Sequence, residues 1–562
     1  MSSNPGNLSI QQLCLCLIGS DPKVNLALAA RELERADLFE LRIDYLVDCA
    51  EFFSLVHGED QLTHLNRSIG QSIAPEETRQ AYVQVPGFGL LINHVDELLA
   101  LGKPVVLTVR TQSDGGKWTS EREHLRLEVI KGLFWIFGGD SRCIFDLELD
   151  CVALTDFMSH PKVESAYKAK IIRSFHWFES DWDYARAYQK LEQLVHHCNT
   201  HGPGHSPWIP KAALSCGSVG QLRDLFLLAR EFNPSKNLPF LLIGMGEWGM
   251  ASRILPAWLG SLWSYSTPIV PGDLPAAPGQ LDPETLEQVY GFSRLDGSQK
   301  VFAILGNPVA HSKSPVYHNQ EFAGKKFPGV YIPLRTDSLE DAMDLAELIP
   351  LSGMSVTIPH KQGIVSYLTC WDPGVTASGA CNTVVRGDCG WFGVNTDIPG
   401  FLDPLLSLQT DIRTGLFNRV LVIGAGGAAR AIIYGIAGKA NHITLVNRTP
   451  ENGQLLLNQI RESLPSHLTT QVLPMEQPIE DYFDLIIQTT SLGMDDLSDP
   501  LLGYTFRGTE VVYDIIYTPD KTPILVRAEK AGCKIINGWP MFVKQAELQN
   551  SLFTNPEVPD TR

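Results

Sequence analysis

Lys211 lies inside an apolar run, W-I-P-K-A-A-L. An amine in such a place is taken out of water, which lowers its pKa and frees it to attack a carbonyl. His176 ends a second apolar run, K-I-I-R-S-F-H, and an imidazole there can shuttle protons near neutral pH. The pair suggests imine chemistry on a keto acid whose carboxylate is held by arginines. Further along, S-G-M-S-V-T-I-P-H-K ends in Lys361, and F-G-V-N-T-D ends in Asp397. Asn382, in A-C-N-T-V-V, and Asp397 end or follow short strands, where polar side chains can converge on a ligand.

Eight apolar runs position the first group: 13–19, 38–46, 104–110, 143–149, 170–176, 207–214, 240–246 and 262–268. Between them lie stretches with apolar residues at helical spacing, such as R-E-H-L-R-L-E-V-I-K-G-L-F-W-I-F. Strands alternating with helices pair in parallel, and eight such units predict a (β/α)8 barrel. The long gap from Val47 to Gly87 has room for an insertion. Chemistry in such a barrel belongs at the carboxyl ends of the strands. Arg110 ends the third run, His176 ends the fifth, and Lys211 is within the sixth. Glu40, Arg42 and Asp44 alternate with apolar neighbours and are expected to face the barrel interior, where charges must be paired or used.

The second half opens with K-V-F-A-I-L-G-N-P-V-A-H-S-K-S-P. Ser312 and Ser314 are two apart, so both hydroxyls can face one carboxylate; Ser314-Pro315 also suits an ordinary helix start. From Arg419 an apolar strand runs into Gly424-Ala425-Gly426-Gly427-Ala428 and then a helical pattern. Strand, glycine turn and helix in this order predict a dinucleotide-binding loop, with backbone amides approaching a pyrophosphate. The next strand ends in Asn447-Arg448-Thr449, where an acid would suit the ribose of NAD. Arginine there favours the 2′-phosphate of NADP.

The first half resembles the type I 3-dehydroquinate dehydratases. The likeness lies in E-L-R-I-D at 40–44, T-V-R-T-x-x-D-G-G at 108–116, S-F-H at 174–176, P-K at 210–211, S-R at 252–253 and A-P-G-Q at 277–280. The resemblance implies that Lys211 forms a Schiff base with the substrate ketone and that His176 removes the C2 proton. It also implies that Glu40, Arg42, Arg110, Arg253 and Gln280 contact substrate. Asp114 stands where some relatives carry Glu, and Ala276 where many carry Ser, so one hydroxyl contact is missing.

The second half resembles the shikimate dehydrogenases through G-N-P-V-x-H-S-x-S-P, V-T-I-P-H-K, N-T-D, G-A-G-G-A-A-R-A, S-L-G-M, Y-D-x-x-Y-x-P and G-x-x-M-F-x-x-Q. This implies Lys361 and Asp397 as an acid–base pair, with Ser312 and Ser314 on the substrate carboxylate. Thr357, Asn382, Tyr517 and Gln545 would contact ring hydroxyls or carboxylate, and Gly538 would lie near the nicotinamide. Local departures are Ser355 for the usual Asn, Ile398-Pro399 after Asp397, and Gln488 where Asn often stands. Joined, the halves imply a bifunctional enzyme taking 3-dehydroquinate to shikimate with NADPH. The alternatives are a catabolic quinate or shikimate dehydrogenase fusion preferring NAD, and a non-catalytic ligand sensor.

The expected domains are a barrel over 1–285, a linker at 286–300, a substrate-binding domain at 301–398, a Rossmann domain at 399–536 and a returning helix at 537–562. At 562 residues with formal net charge −18, nucleic acid and anionic membrane are not expected as partners, whereas small anionic substrates need only local arginines and lysines. The oligomeric state is not readable. Eleven scattered cysteines with no C-x-x-C pair fit reduced thiols. The amino end lacks the pattern of a signal peptide, and no apolar run approaches a membrane span, so a cytoplasmic protein is expected. H-H-C-N-T-H-G-P-G-H at 196–205 carries metal-type residues without zinc spacing, and no metal is expected.

Overall fold

The computed structural model describes residues 11–46, 59–69, 75–158, 163, 167–201, 208–232, 239–270, 275–388, 390–407, 417–494 and 497–555. They form two compact units, one of residues 1–299 with 340–350 and one of residues 300–339 with 351–562.

Strands β1 (Gln12–Leu17), β2 (Leu38–Arg42), β3 (Val105–Thr108), β4 (Cys143–Glu148), β5 (Lys170–Trp177), β6 (Ile209–Ser215), β7 (Leu241–Met245) and β8 (Trp263–Ser266) build the first unit. Neighbours pair in parallel from β7 back to β1 and on to β8. An isolated bridge from Phe240 to Ser261 brings β7 and β8 together, so the barrel is nearly closed. Alternation along each strand sends one residue in two inward. Cys14, Leu38, Val106, Ile144, Ile172, Ile209, Leu241 and Trp263 form the apolar floor. Two residues later on four of the same strands stand Glu40, Thr108, Asp146 and Lys211, above that floor.

Two boundaries differ from expectation. The second strand ends at Arg42, and Ile43–Leu46 is a helical turn. Asp44 stays buried because Arg42 grips its carboxylate with two hydrogen bonds, of 2.9 and 2.8 Å. The third strand ends at Thr108, so Arg110 lies just beyond it. The gap from Val47 to Gly87 holds the helices Glu59–Ile69 and Pro75–Val83; residues 47–58 and 70–74 lie outside the described ones. Much of the stretch read as a linker is folded. The helix Pro283–Tyr290 is capped by Asp282, Leu286 and Phe292 are buried, and Leu295 accepts a hydrogen bond from the Gln11 amide.

The second unit carries two sheets. The first has the order β10 (Gly329–Arg335), β9 (Lys300–Gly306), β11 (Leu351–Val356), β13 (Thr383–Gly387), β14 (Gly390–Val394), β12 (Cys370–Trp371). Its β9, β10 and β11 run parallel, whereas β13 is antiparallel to both neighbours. The second sheet is wholly parallel: β17 (Thr469–Pro474), β16 (Ala440–Asn447), β15 (Phe417–Ile423), β18 (Leu485–Gln488), β19 (Val511–Asp514), β20 (Lys534–Ile536). This doubly wound order reverses direction between β15 and β18, the place where such folds bind dinucleotides. The final helix, Trp539–Thr554, lays Phe553 against Phe302 with ring centroids 4.9 Å apart. Among the described residues no helix is long and apolar enough to cross a membrane.

Candidate active sites

Glu40, Arg42, Arg110, His176, Lys211, Arg253 and Gln280 all line one cavity of about 190 Å³ at the carboxyl ends of the barrel strands. Asp146, which the sequence reading missed, is the centre of its charge network. Lys211 Nζ lies 2.7 Å from Asp146 Oδ2 and 3.8 Å from Glu40 Oε1. Arg110 Nη2 approaches the same two carboxylates at 2.8 and 3.9 Å. Ser174 donates to the other Asp146 oxygen at 2.5 Å, and Thr108 donates to Glu40 at 2.9 Å. Burial opposes ionisation of Asp146, but Lys211 and Arg110 outweigh it and hold the carboxyl far below its usual range. Glu40 is likewise held low against burial by Lys211, Arg42 and Arg110. Lys211 is therefore not a merely desolvated amine; carboxylates face it from two strands.

His176 Nδ1 is 2.9 Å from Arg110 Nη1 and 3.4 Å from Asp114 Oδ1. Burial, then the nearby cations Arg110 and Lys211, push its pKa well below the ordinary value. Both effects favour the neutral imidazole, which can accept a proton. Asp114 is raised to about 6 by burial and by Glu148. Arg253 is buried with its Nε unpartnered, and burial brings its guanidinium down to about 10. Its Nη2 donates to the Pro278 carbonyl at 3.2 Å. A buried cation with no carboxylate partner among the described residues, at an open cavity, is suited to an anionic ligand. Gln280 takes a hydrogen bond from Thr267, and the amide of Ala276 donates to the same threonine at 3.1 Å.

Lys361, Asn382, Asp397 and Gln545 come together in the second unit. Lys361 Nζ is 2.5 Å from Asp397 Oδ2. Asn382 Nδ2 donates to Asp397 Oδ1 at 2.9 Å and to Gln545 Oε1 at 3.0 Å. Asn382 immediately precedes β13, Asp397 opens the helix Asp397–Ser407 after β14, and Gln545 comes from the final helix. Ser312 and Ser314 form a separate turn after β9. Ser312 Oγ accepts the Ser314 amide at 3.2 Å, and Lys313 is the N-cap residue of the helix Ser314–Gly324, so Ser314 is its first residue and not its cap. The Tyr517 ring packs on Phe542, with centroids 5.1 Å apart, and Thr357 follows β11.

The glycine turn sits beside this cluster. Gly424 has φ +105°, and a Cβ on it would meet Thr489 Oγ1 at 2.7 Å. A Cβ on Gly427 would come within 2.9 Å of the Lys361 side chain, whereas one on Gly426 would meet nothing within 4 Å. The loop is thus tight below and open above, as backbone cradling a pyrophosphate requires. Gly424 N donates to Val446 O at 2.8 Å, tying the turn to the end of β16. There Asn447 Nδ2 donates to Thr449 O at 2.7 Å, while Arg448 and Thr449 are exposed. Gly538 is buried so closely that a Cβ would lie 2.0 Å from Ile515 O. These residues fit NADP.

The departures also have partners. Gln488 is buried and pins the following turn, donating to Leu492 O at 3.0 Å and accepting from Thr490 N at 3.0 Å. Ser355 donates to Gln549 at 2.8 Å. Of the histidine-rich stretch, His197 and His201 stack 4.2 Å apart on one helix, and residues 202–205 lie outside the described ones. Among the described residues no group of three or more His, Cys, Asp or Glu is placed to hold a metal.

The family model described as type I 3-dehydroquinase matches residues 85–296, and that of the shikimate dehydrogenase substrate binding domain matches 304–384. A bifunctional 3-dehydroquinate dehydratase/shikimate dehydrogenase, chloroplastic, of Arabidopsis thaliana is 30% identical over 470 residues, covering 81% of this chain and 74% of that protein. A shikimate dehydrogenase (NADP(+)) of Shouchella clausii is 38% identical over 254 residues, covering 44% of this chain and 90% of the relative. Among solved structures, shikimate 5-dehydrogenase from Thermus thermophilus in complex with NADP(H) and shikimate is 30% identical. It covers 46% of this chain and 94% of its own, with a TM-score of 0.40. This chain belongs to the bifunctional 3-dehydroquinate dehydratase/shikimate dehydrogenase family.

Proposed function

We propose that the barrel dehydrates 3-dehydroquinate to 3-dehydroshikimate and that the second unit reduces this product to shikimate with NADPH. The observation that carries the reading is the pairing, in one cavity, of a buried lysine with a histidine, beside a buried arginine whose Nε has no partner among the described residues. Arg253 and Arg42 take the substrate carboxylate and ring oxygens. Lys211 releases its proton to solvent at the open cavity, and Nζ adds to the C3 ketone. Loss of water leaves an imine that withdraws electrons from C2. His176 accepts the C2 proton and returns it to the leaving C1 hydroxyl, which departs as water. Hydrolysis of the imine restores Lys211 and consumes one water, so the net change is loss of one water from substrate.

In the second unit NADPH, when bound, would supply a hydride to the ketone carbon. Lys361 gives a proton to the developing alkoxide, and Asp397, held by Asn382, keeps the ammonium aimed at that oxygen. Ser312 and Ser314 hold the carboxylate, while Thr357, Asn382, Tyr517 and Gln545 surround the ring. Gly424 to Ala428 receive the pyrophosphate, Arg448 with Asn447 and Thr449 the adenosine phosphate, and Gly538 admits the nicotinamide. The substrates are small molecules, in keeping with the formal net charge of −18. We place the protein in the cytoplasm, supported by nine described cysteines that are all free.

The direct test is a coupled assay. Dehydroquinate with NADPH is expected to yield shikimate with one NADPH consumed for each shikimate formed. Accumulation of dehydroshikimate with no loss of NADPH would refute the second activity, and no turnover of dehydroquinate would refute the first.

A further inference from the structure

Gln549 belongs to none of the groups above, yet it is 2% exposed and its amide is engaged at both ends. It follows Gln545 by four residues on the helix Trp539–Thr554, so both side chains lean over the same face. Gln549 Nε2 donates to Thr383 Oγ1 at 3.1 Å and points at the Asn382 carbonyl oxygen at 3.4 Å. A carbonyl can only accept, which settles the end of the amide that faces it. Gln549 Oε1 is then left to accept the Ser355 hydroxyl at 2.8 Å.

Thr383 receives that N–H and keeps its own proton for Asn382 Oδ1, 2.9 Å away. The Thr396 backbone N–H donates to the same oxygen at 2.8 Å. A backbone N–H can only donate, so Asn382 must turn its oxygen toward it and its NH2 toward Asp397 and Gln545. Asp397 thus has Oδ1 occupied and Oδ2 directed at Lys361. Gln545 has its oxygen occupied and its NH2 left to donate into the cleft.

We propose that Gln549, held by Ser355, is a positioning residue of the reduction site, reinforcing through Thr383 the direction that the Thr396 backbone N–H gives the Asn382 amide and, with it, the direction of the Gln545 amide. The proposal rests on reading Lys361 and Asp397 as the acid–base pair. Without the Gln549 N–H, Thr383 Oγ1 is free to accept from the Thr396 hydroxyl, 3.0 Å away, and Asn382 Oδ1 loses that hydroxyl as one of the donors that orient it.

The test uses the full-length chain. Gln549→Leu keeps the volume and removes the amide; it is expected to lower kcat for dehydroshikimate reduction about tenfold. KM for NADPH and the dehydratase rate are expected to stay at wild-type values. Ser355→Ala should lower kcat in the same direction by less. The double variant should be no slower than Gln549→Leu alone, because both act through one amide. Unchanged kcat in Gln549→Leu, a loss confined to KM for NADPH, or losses that multiply in the double variant would each overturn the proposal. If Gln549→Leu does not accumulate as folded protein, Ser355→Ala decides alone: unchanged kcat there rejects it. Lys361→Ala separates the two readings, since retained reduction in that variant would refute the acid–base pair itself.

Discussion

Asp146 and Lys211 face each other across neighbouring interior positions of the barrel, carboxylate oxygen to ammonium nitrogen at 2.7 Å, with both side chains buried. The same oxygen also holds Arg110, so one carboxylate compensates two cations. Glu40 lies more than 3.5 Å from each of them and cannot replace it. Asp146→Asn therefore leaves buried positive charge with too little compensation, a change that costs about 3–5 kcal/mol in comparable networks. Dehydratase activity should be lost at a lower urea concentration than in the wild type, while inactivation of the NADPH-dependent reduction is unchanged. An unshifted dehydratase midpoint would show that Glu40 suffices.

Lys211→Ala removes the only amine lining the barrel cavity among the described residues. Dehydration is expected to vanish and reduction of added 3-dehydroshikimate to persist. Borohydride added with dehydroquinate should increase the mass of the intact wild-type protein by one reduced adduct and leave the variant unmodified. Normal dehydration by Lys211→Ala, or an adduct that survives the substitution, would remove the imine from the mechanism.

Asp114 offers a stability measurement with a definite sign. Its folded pKa is raised to about 6 by burial first and by Glu148 next, whereas an unfolded aspartate titrates near ~3.9. The native state keeps this proton over a range in which the unfolded chain has released it. The contribution is therefore full below about pH 4 and is lost as pH rises through about 6. Asp114→Asn cannot ionise and escapes that loss. Relative to wild type it should gain stability of about 2 kcal/mol between about pH 4 and pH 8. Urea unfolding at the two pH values checks this, and parallel pH dependences in the two proteins would mean that the carboxyl ionises normally.

The barrel was legible because its signal is local: strand alternation places Glu40, Lys211 and His176 inside, and helical patterns separate the strands. Asp146 obeys the same alternation in C-I-F-D-L-E-L, and reading that run as Glu40 and Arg42 were read would have found it. The helical turn at Ile43–Leu46 was not legible, because a polar–apolar alternation of four residues suits a strand and a capped turn alike. Nothing local marks β13 as antiparallel or gives the two-residue β12. The meeting of Ser355 with Gln549 spans 194 residues of chain. Only the packing of the last helix on the sheet of β9–β14 brings such a pair together, and a departure at one position cannot by itself name its partner.

We propose that cofactor choice turns on Arg448. It follows β16 directly, at the position where an acidic side chain would bind the ribose hydroxyls of NAD, and it is exposed to solvent. An arginine there makes charge-assisted hydrogen bonds to a 2′-phosphate and has no equivalent partner on NADH. A hydrogen bond to a charged group is worth about 1.5–3 kcal/mol, so Arg448→Ala should weaken NADPH binding by about ten- to a hundredfold. NADH binding should change little, and kcat at saturating NADPH should hold, because the 2′-phosphate belongs to the adenosine half of the cofactor and not to the nicotinamide that reacts. Measured dissociation constants for both dinucleotides decide the matter. Equal losses for NADPH and NADH would assign Arg448 to the general shape of the loop and leave the phosphate to another residue.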